Sequence, residues 1–485
     1  MSIQTFEPTT LLAILPEILL VVLAGLILAF DVFWKPENKR NLGWLTAGGL
    51  LVVMVVSLIF ASPQDTGRLI FGGMIRQDWL SFAFILLFMF AAAITALFAM
   101  DLKVIGQKGE FYLLMLISTL GMSLMASAAD IIMLYLAIET TSIPMYILAG
   151  FMTRDDKSTE SGFKYLLFGA AASSIMLYGF SLLYGFSGQT NIYQIALSFY
   201  NVEFPKIAVI GSLLLVFVGF AFKISAFPFH FWAPDVYEGA PTPIAGFLST
   251  ASKAAGFVVV LRVLVAIFTP SATPDWINML SIVSVLTMTV GNVLALVQTN
   301  IKRLLAFSSI AHAGYILIGV VALSQLGLTS VVFYLIAYLI TNLAAFGIVM
   351  TFSQVVGSDE ISAYSGLSRR KPWLALAMLV AFLSLAGMPP LAGFMAKIFV
   401  FAAAVKVGLV WLAFLGVLNS IVGLYYYLTV LKYVYLFRSD DEGQPLAISR
   451  PYSIALTILI VGIILVGTLF GPWFNLSTQI ASSLF

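Results

Sequence analysis

Fourteen apolar runs of about 20 residues each, parted by loops too short to fold alone, leave this chain one environment to fold in. A segment of that length crosses the hydrocarbon core as a helix, which satisfies its own backbone polar groups where no water can. The runs fall at roughly 10–31, 42–62, 78–100, 111–127, 130–152, 162–186, 206–232, 241–268, 276–297, 303–323, 328–352, 372–405, 408–437 and 452–474. The chain is 61% hydrophobic and 9% charged, whereas a soluble domain carries roughly 25% charged residues. The expected fold is an all-α integral membrane protein with 14 transmembrane helices. The first run lacks the basic start and cleavage site of a signal peptide, so it is expected to remain as a span.

Lysine and arginine placement tests this frame, because cytoplasmic loops are enriched in both. With an outside N-terminus the cytoplasmic loops hold Lys35, Lys39, Arg40, Lys103, Lys108, Arg154, Lys157, Lys164, Lys302, Arg303, Arg369, Arg370, Lys371, Arg438 and Arg450. The opposite side holds only Arg68, Arg76, Lys206 and Lys406. One helix too many or too few would scramble this bias, so both termini are expected on the non-cytoplasmic side. A net charge of +2 offers no grip on nucleic acid. The absence of cysteine excludes iron–sulfur clusters and thiolate metal sites. His230 and His312, the only histidines, make a poor haem site, so no cofactor is expected in this chain.

The sequence also echoes itself. GMSLMASAADIIMLYLAIETTSIPMYILAG (121–150) aligns without gaps on GNVLALVQTNIKRLLAFSSIAHAGYILIGV (291–320), bringing Gly121 onto Gly291 and Asp130 onto Asn300. Pro228 lies within one long run, and AGMPPLAGFMAK (386–397) repeats the pattern of a proline break with a lysine nearby. Two five-helix units follow, spans 4–8 and 9–13. Because five is odd, the units must be inverted relative to each other, as in secondary transporters built around discontinuous helices. The expected division is 1–110, a three-helix segment; 111–268 and 276–437, the two repeats; and 438–485, a C-terminal helix.

Five basic residues fall within runs: Lys223, Lys253, Arg262, Lys397 and Lys432. A charge at the bilayer centre costs about 2.5–3.5 kcal/mol on insertion scales. Arg262 and Lys432 lie near span ends, where a long side chain reaches the interface, and snorkelling accounts for them. Lys223 is different. In FKISAFPFHFWAPDVYEGAPTP (222–243) the apolar run continues past it, so it lies near mid-depth. Pro228 opens the helix ladder beside it, and freed carbonyls at that depth survive only facing protein or water. A lysine in such a pocket can lose its proton, since desolvation disfavours the charged form, and can therefore relay one. Glu139, in span 5, is either a packing residue or a carboxylate partner for Lys223; Pro144 follows it. Lys253 sits among small residues in span 8, and Lys397 follows the breaks at Pro389 and Pro390. His312 and His230 titrate near neutrality when unperturbed and join the row as candidates, against the plainer reading of buried packing residues. Glu17 is read as structural. Sodium or potassium would need clustered oxygen ligands, and one central carboxylate among three lysines does not supply them. The inventory suits protons.

These stretches, with TNIKRLLAFSSIAHAGYILIG (299–319), resemble the antiporter-like subunits of proton-pumping NADH:quinone oxidoreductase, respiratory complex I. PDVYEGAPTP after the first break and a lysine in the second point to the subunit N branch, the counterpart of mitochondrial subunit 2. The resemblance covers essentially the whole chain and implies that Glu139 and Lys223 form the pair of a first half-channel, Lys253 bridges the centre and Lys397 serves the exit. It also implies other membrane-arm subunits as partners, and NADH, flavin, iron–sulfur clusters and quinone housed in other chains. A bacterial cytoplasmic membrane is the expected location. Two rival readings stand beside it. One is a subunit of a multi-subunit cation/proton antiporter; the other is a non-pumping scaffold, which would gain from losing its buried charges.

Overall fold

A computed structural model describes every residue except 1–7, 65–66, 103, 202–205, 268–272, 440–445, 447 and 485. Lys103, counted above with the cytoplasmic residues, lies outside the described residues. The N-terminal segment contains α1 (Pro8–Ala13), α2 (Leu15–Phe33), α3 (Asn41–Phe60) and α4 (Trp79–Ala99), with an antiparallel hairpin of β1 (Arg68–Ile70) and β2 (Ile75–Gln77) before α4. Then come α5 (Gly109–Ser127), α6 (Ile131–Ala149), α7 (Asp156–Ser187), α8 (Ile192–Asn201), α9 (Lys206–Ile224), α10 (Trp232–Gly239), α11 (Thr242–Phe247) and α12 (Lys253–Ile267). The second series is α13 (Thr273–Ala295), α14 (Ile301–Val321), α15 (Gln325–Val356), α16 (Leu367–Arg370), α17 (Pro372–Ala386), α18 (Ala392–Lys406) and α19 (Val410–Tyr435). Helices α20 (Arg450–Thr468) and α21 (Phe470–Ser482) follow.

Among the described residues, 13 helices are long and apolar enough to cross a membrane, with α11, the π turn Leu248–Ser252 and α12 forming one of them. The run 372–405 differs. It is two half-helices of 15 residues, α17 and α18, separated at 387–391. Each is about 22 Å long, short of the ~30 Å hydrocarbon core, so only the pair reaches across. The run 206–232 likewise ends as a helix at Ile224, and the last run divides at Leu469 between α20 and α21. Helix α14 is buried along its apolar stretch, as is the unit formed by α11 and α12, while α2 and α3 bury about a third of theirs. The core therefore gathers around α11–α12, α14 and α15, with α4 largely buried beside it and α2 and α3 more exposed.

Local chemistry supports the internal echo. The Asp130 side chain caps α6 by accepting from the Ile132 and Met133 N–H groups, and the Asn300 side chain caps α14 from Lys302 and Arg303. Such a cap meets donors that a helix start leaves free. Both capping loops also pair with a distant strand-like segment, Asp130 with Asn191 and Asn300 with Glu360. Gly121 lies against the backbone of Thr141, and Gly291 against that of Ala311, each too close to admit a Cβ. The hairpins α5–α6 and α13–α14 are thus built alike.

Arg262 does not snorkel. It is 2% exposed, and its guanidinium binds Asp78 through Nη1 and Nη2 at 2.9 Å each while donating to the Ala126 carbonyl. Asp78 also caps α4 and pairs with Arg76, which in turn donates to Tyr193 and the Ser483 carbonyl. One carboxylate thus joins α4, α5, α12 and the end of α21. Arg262 lies 184 positions from Asp78 in the chain and Ser483 lies 407 from Arg76, which is why the run around Arg262 gave no sign of them. Asp78→Asn leaves two guanidiniums without a counter-charge and should destabilise the subunit by about 3–5 kcal/mol; Asp78→Leu with Arg262→Leu should cost less. Survival of the folded subunit after a graded thermal challenge in detergent distinguishes the two.

Candidate functional site

The break after α9 is made by a residue sequence that cannot stay helical. Ser225 takes a left-handed φ of 57°, uncommon for a residue with a side chain, and Pro228 supplies no N–H. The freed groups find partners inside the protein. Phe227 N–H donates to Thr287 on α13 at 3.0 Å, and Trp232 Nε1 donates to the Phe222 carbonyl at 3.2 Å. Lys223, in the last turn of α9, is 5% exposed and donates to Ser142 Oγ on α6 at 3.0 Å. Glu139 lies one turn earlier on α6, half-buried, and acts on Lys223 as a nearby charge without touching it. The Ser173 hydroxyl on α7 donates to Glu139.

His230 lies in the break itself, 2% exposed, between the rings of Phe227 and Phe231. Its ring nitrogens make no side-chain hydrogen bond, and it feels the charge of Lys253. Lys253 opens α12 immediately after the π turn, a rare departure that widens a helix and recurs at functional sites. Its Nζ donates to Ser309 Oγ on α14 at 2.6 Å and stands 5.9 Å from the centre of the Tyr237 ring.

One turn beyond Ser309, His312 is 3% exposed and held on both sides. Nδ1 lies 2.7 Å from Tyr334 Oη, and Nε2 lies 3.3 Å from Tyr427 Oη, whose hydroxyl also meets Ser308. A neutral imidazole donates from one nitrogen and accepts at the other, so these two hydroxyls select the tautomer between them. His312 is near enough to feel both Lys253 and Lys397. Lys397, on α18, donates to the Leu385 carbonyl at 3.1 Å, the Ala386 carbonyl at 2.9 Å and Ser420 Oγ at 2.8 Å. The two carbonyls belong to the last turn of α17, the negative end of a half-helix, which favours a cation there. The Tyr315 ring lies 5.0 Å away, and its hydroxyl accepts from Asn292.

The structure thus strings Glu139, Lys223, His230, Lys253, His312 and Lys397 through the interior, with Pro228 at the first break and Pro389 and Pro390 at the second. Glu17 is buried apart from this row, its carboxylate accepting from Ser123 at 2.5 Å. The serines and tyrosines that hold the row, Ser142, Ser309, Ser420, Tyr334 and Tyr427, carried no signal in the sequence. Hydroxyls in an apolar helix usually bond their own backbone, and nothing in periodicity separates those from the ones that face a lysine.

On α10, Asp235 accepts from Lys164 at 2.6 Å and Arg303 at 2.8 Å. Glu238 accepts from Lys157 and Arg303, both at 2.8 Å. Burial works to raise both carboxyls, but the hydrogen bonds from these cations outweigh it and hold each below its ordinary value.

A helical membrane protein with two broken helices and titratable groups sheltered in its interior beside them is an ion-translocating membrane subunit. The comparisons narrow the class. Residues 128–423 match the family described as NADH:quinone oxidoreductase/Mrp antiporter, transmembrane. The NADH-quinone oxidoreductase subunit N of Heliobacterium modesticaldum is 40% identical over 459 residues, 93% of this chain and 94% of its own length. The NAD(P)H-quinone oxidoreductase subunit 2 of a Synechococcus is 40% identical over 500 residues, covering 98% and 93%. A chain of respiratory complex I from Thermus thermophilus superposes with a TM-score of 0.80 at 33% identity, covering 95% of this chain and 98% of that one. A chain of the Mrp complex of Dietzia, 21% identical with a TM-score of 0.85, covers 99% and 98% and shares the fold. The chain belongs to the antiporter-like membrane subunits of NADH:quinone oxidoreductase, in the subunit N branch.

Two outcomes check the geometry. Tyr427→Phe keeps the ring between Phe382 and Tyr426 but removes the hydroxyl shared by Ser308 and His312. Losing one such hydrogen bond, worth about 1 kcal/mol, should lower coupled quinone reduction several-fold in an assembled complex. The Asp235 and Glu238 pairs contribute stability above the unfolded carboxyl values and lose it only as pH falls through the lowered folded ones. The hydrogen-exchange ratio of residues 232–239 between Asp235→Asn and wild type should therefore stay constant from about pH 5.5 to 8 and converge only below about pH 4.

Proposed function

We propose that this chain relays protons across the membrane arm of an NADH:quinone oxidoreductase, driven by electron transfer to quinone in other subunits. The observation that carries the reading is the row itself. Lys223 feels Glu139, His230 feels Lys253, and His312 feels both Lys253 and Lys397, so a proton arriving at one of these neighbours changes the energy of the other. Hydroxyls from Ser142, Ser309 and Ser420 hold the three lysines in place, each able to donate and accept.

The two repeats serve as half-channels in this reading, 111–268 and 276–437, with 1–110 as an outer three-helix segment and 438–485 as a closing one. Glu139 sets the protonation of Lys223; Lys253 and His312 carry the proton across the middle; Lys397 releases it toward the exit. Water at the breaks supplies the steps between side chains, and His230, unpaired by other side chains, is placed to bind it. No bond other than those to protons forms or breaks here, so the translocase activity is a property of the complex. NADH, flavin, iron–sulfur clusters and quinone reside in its other subunits. The membrane is a bacterial cytoplasmic membrane, with both termini on its outer side. Moving one proton against 100 mV requires about 2.3 kcal/mol, well within reach of a change in one charge pair at short range.

The test uses inverted membrane vesicles carrying the intact complex, with proton uptake and quinone reduction read together and assembly checked on a native gel. Lys223→Ala should lose pumping by about tenfold or more. Lys223→Arg should lose it as well, because a guanidinium keeps its proton throughout the accessible pH range. Wild-type pumping with arginine would show that the position needs only a fixed charge, and the relay would fail there.

A further inference from the structure

The half-helix α10 is eight residues long, and an isolated helix of that length is not stable in itself. Non-helical chain lies on both sides of it, at 225–231 and at Ala240–Pro241. Side-chain contacts therefore determine where it stands. On one side it belongs to α7: Trp232 stacks on Tyr165 at 4.5 Å, and Ser161 donates to the Val236 carbonyl at 3.0 Å. On the other side it packs against α14, in the second half of the chain, and the polar tie there is Arg303. Its Nη1 donates to Asp235 and to Glu238, each at 2.8 Å, spanning two carboxylates one turn apart on the same face of α10. Lys302, beside it, donates to the Glu238 carbonyl at 3.3 Å and pairs with Asp359.

The same two helices form the walls of the Lys253 site. Tyr237 of α10 lies on one side of the ammonium, and Ser309 of α14, six residues beyond Arg303, accepts its hydrogen bond on the other. A cavity of about 110 Å³ opens at the joint, lined by Lys157, Glu160, Asp235, Glu238 and Arg303. That is room for a few waters on the cytoplasmic side. The ion-paired side chains line this space, and Lys253 is not among its lining residues.

We infer that Arg303 is a positioning residue for the relay: by tying α10 to α14 it sets the spacing of the two walls around Lys253 and limits the entry of cytoplasmic water to that lysine. The inference rests on the relay proposed above. With the tie cut, α10 stays with α7, the joint opens, and protons on Lys253 exchange with the cytoplasm out of step with quinone reduction. Electron transfer itself is untouched, because in the proposed function it takes place in other subunits.

The experiment measures protons pumped per quinone reduced, and quinone reduction with an uncoupler present, in inverted vesicles carrying the whole complex. Arg303→Ala, Arg303→Lys and Lys253→Ala are compared in matched preparations. The proton-to-quinone ratio should fall several-fold in Arg303→Ala, with uncoupled quinone reduction near wild type, and Arg303→Lys should restore the ratio, since a lysine can reach both carboxylates. A normal ratio in Arg303→Ala beside a lost one in Lys253→Ala overturns the positioning role and leaves the relay standing. A normal ratio in Lys253→Ala removes the relay at that site, and this inference with it. If either Arg303 variant fails to assemble, the double variant Asp235→Asn with Glu238→Gln removes both counter-charges at nearly unchanged shape, and Lys157→Ala with Lys164→Ala controls for the pairs to α7 that it also loses: a lowered ratio in the first alone supports the role, and any other result overturns it.

Discussion

A helix broken at membrane depth exposes backbone groups that lipid cannot satisfy, and the interior of this protein is arranged around meeting them. At the second break the donor is a buried lysine. Lys397 closes the last turn of α17 through two carbonyls, and the Gly393 N–H at the start of α18 donates to Ser384. At the first break Thr287 and Trp232 do the work, which leaves Lys223 free to bind Ser142 and feel Glu139. At the second break the charge and the helix end are therefore one feature: each supplies what the other lacks.

The two halves use that feature differently. Carrying the 170-residue offset from Asp130 to Asn300 along α6 and α14 places Ser309 where Glu139 stands and His312 where Ser142 stands. The first half sets a lysine against a carboxylate; the second sets lysines against hydroxyls, an imidazole and the end of a half-helix. A carboxylate on α6 makes the first lysine sensitive to a moving charge. The second half, with no carboxylate beside Lys397, depends on the positions of α17, α18 and the tyrosines around His312.

Much of this was legible in the residues, and the rest was illegible for a definite reason. The buried lysines, Glu139 and both histidines stood out because a titratable group is rare in an apolar run and costly there. The prolines marked both breaks. Arg262 misled, because its distance from a span end said nothing about Asp78, and burial by a partner far along the chain looks the same in sequence as reach toward the interface. The division of 372–405 into two half-helices was legible, since Pro389 and Pro390 stand where α17 and α18 part. The π turn before Lys253 left no mark, since Leu248–Ser252 contains nothing that forbids an ordinary helix.

By itself, the sequence determined the membrane, the helical class, the places where helices break and the charges that must be sheltered, because each follows from the cost of polar groups in hydrocarbon. Tertiary structure decided which hydroxyl holds which lysine, that Asp78 joins four elements, and that α10 is tied to α14 by Arg303. In this bilayer the lipid and the protein core are equally apolar, so helix faces turned toward either look alike in sequence. Only packing assigns them, and with them the partners of every buried charge.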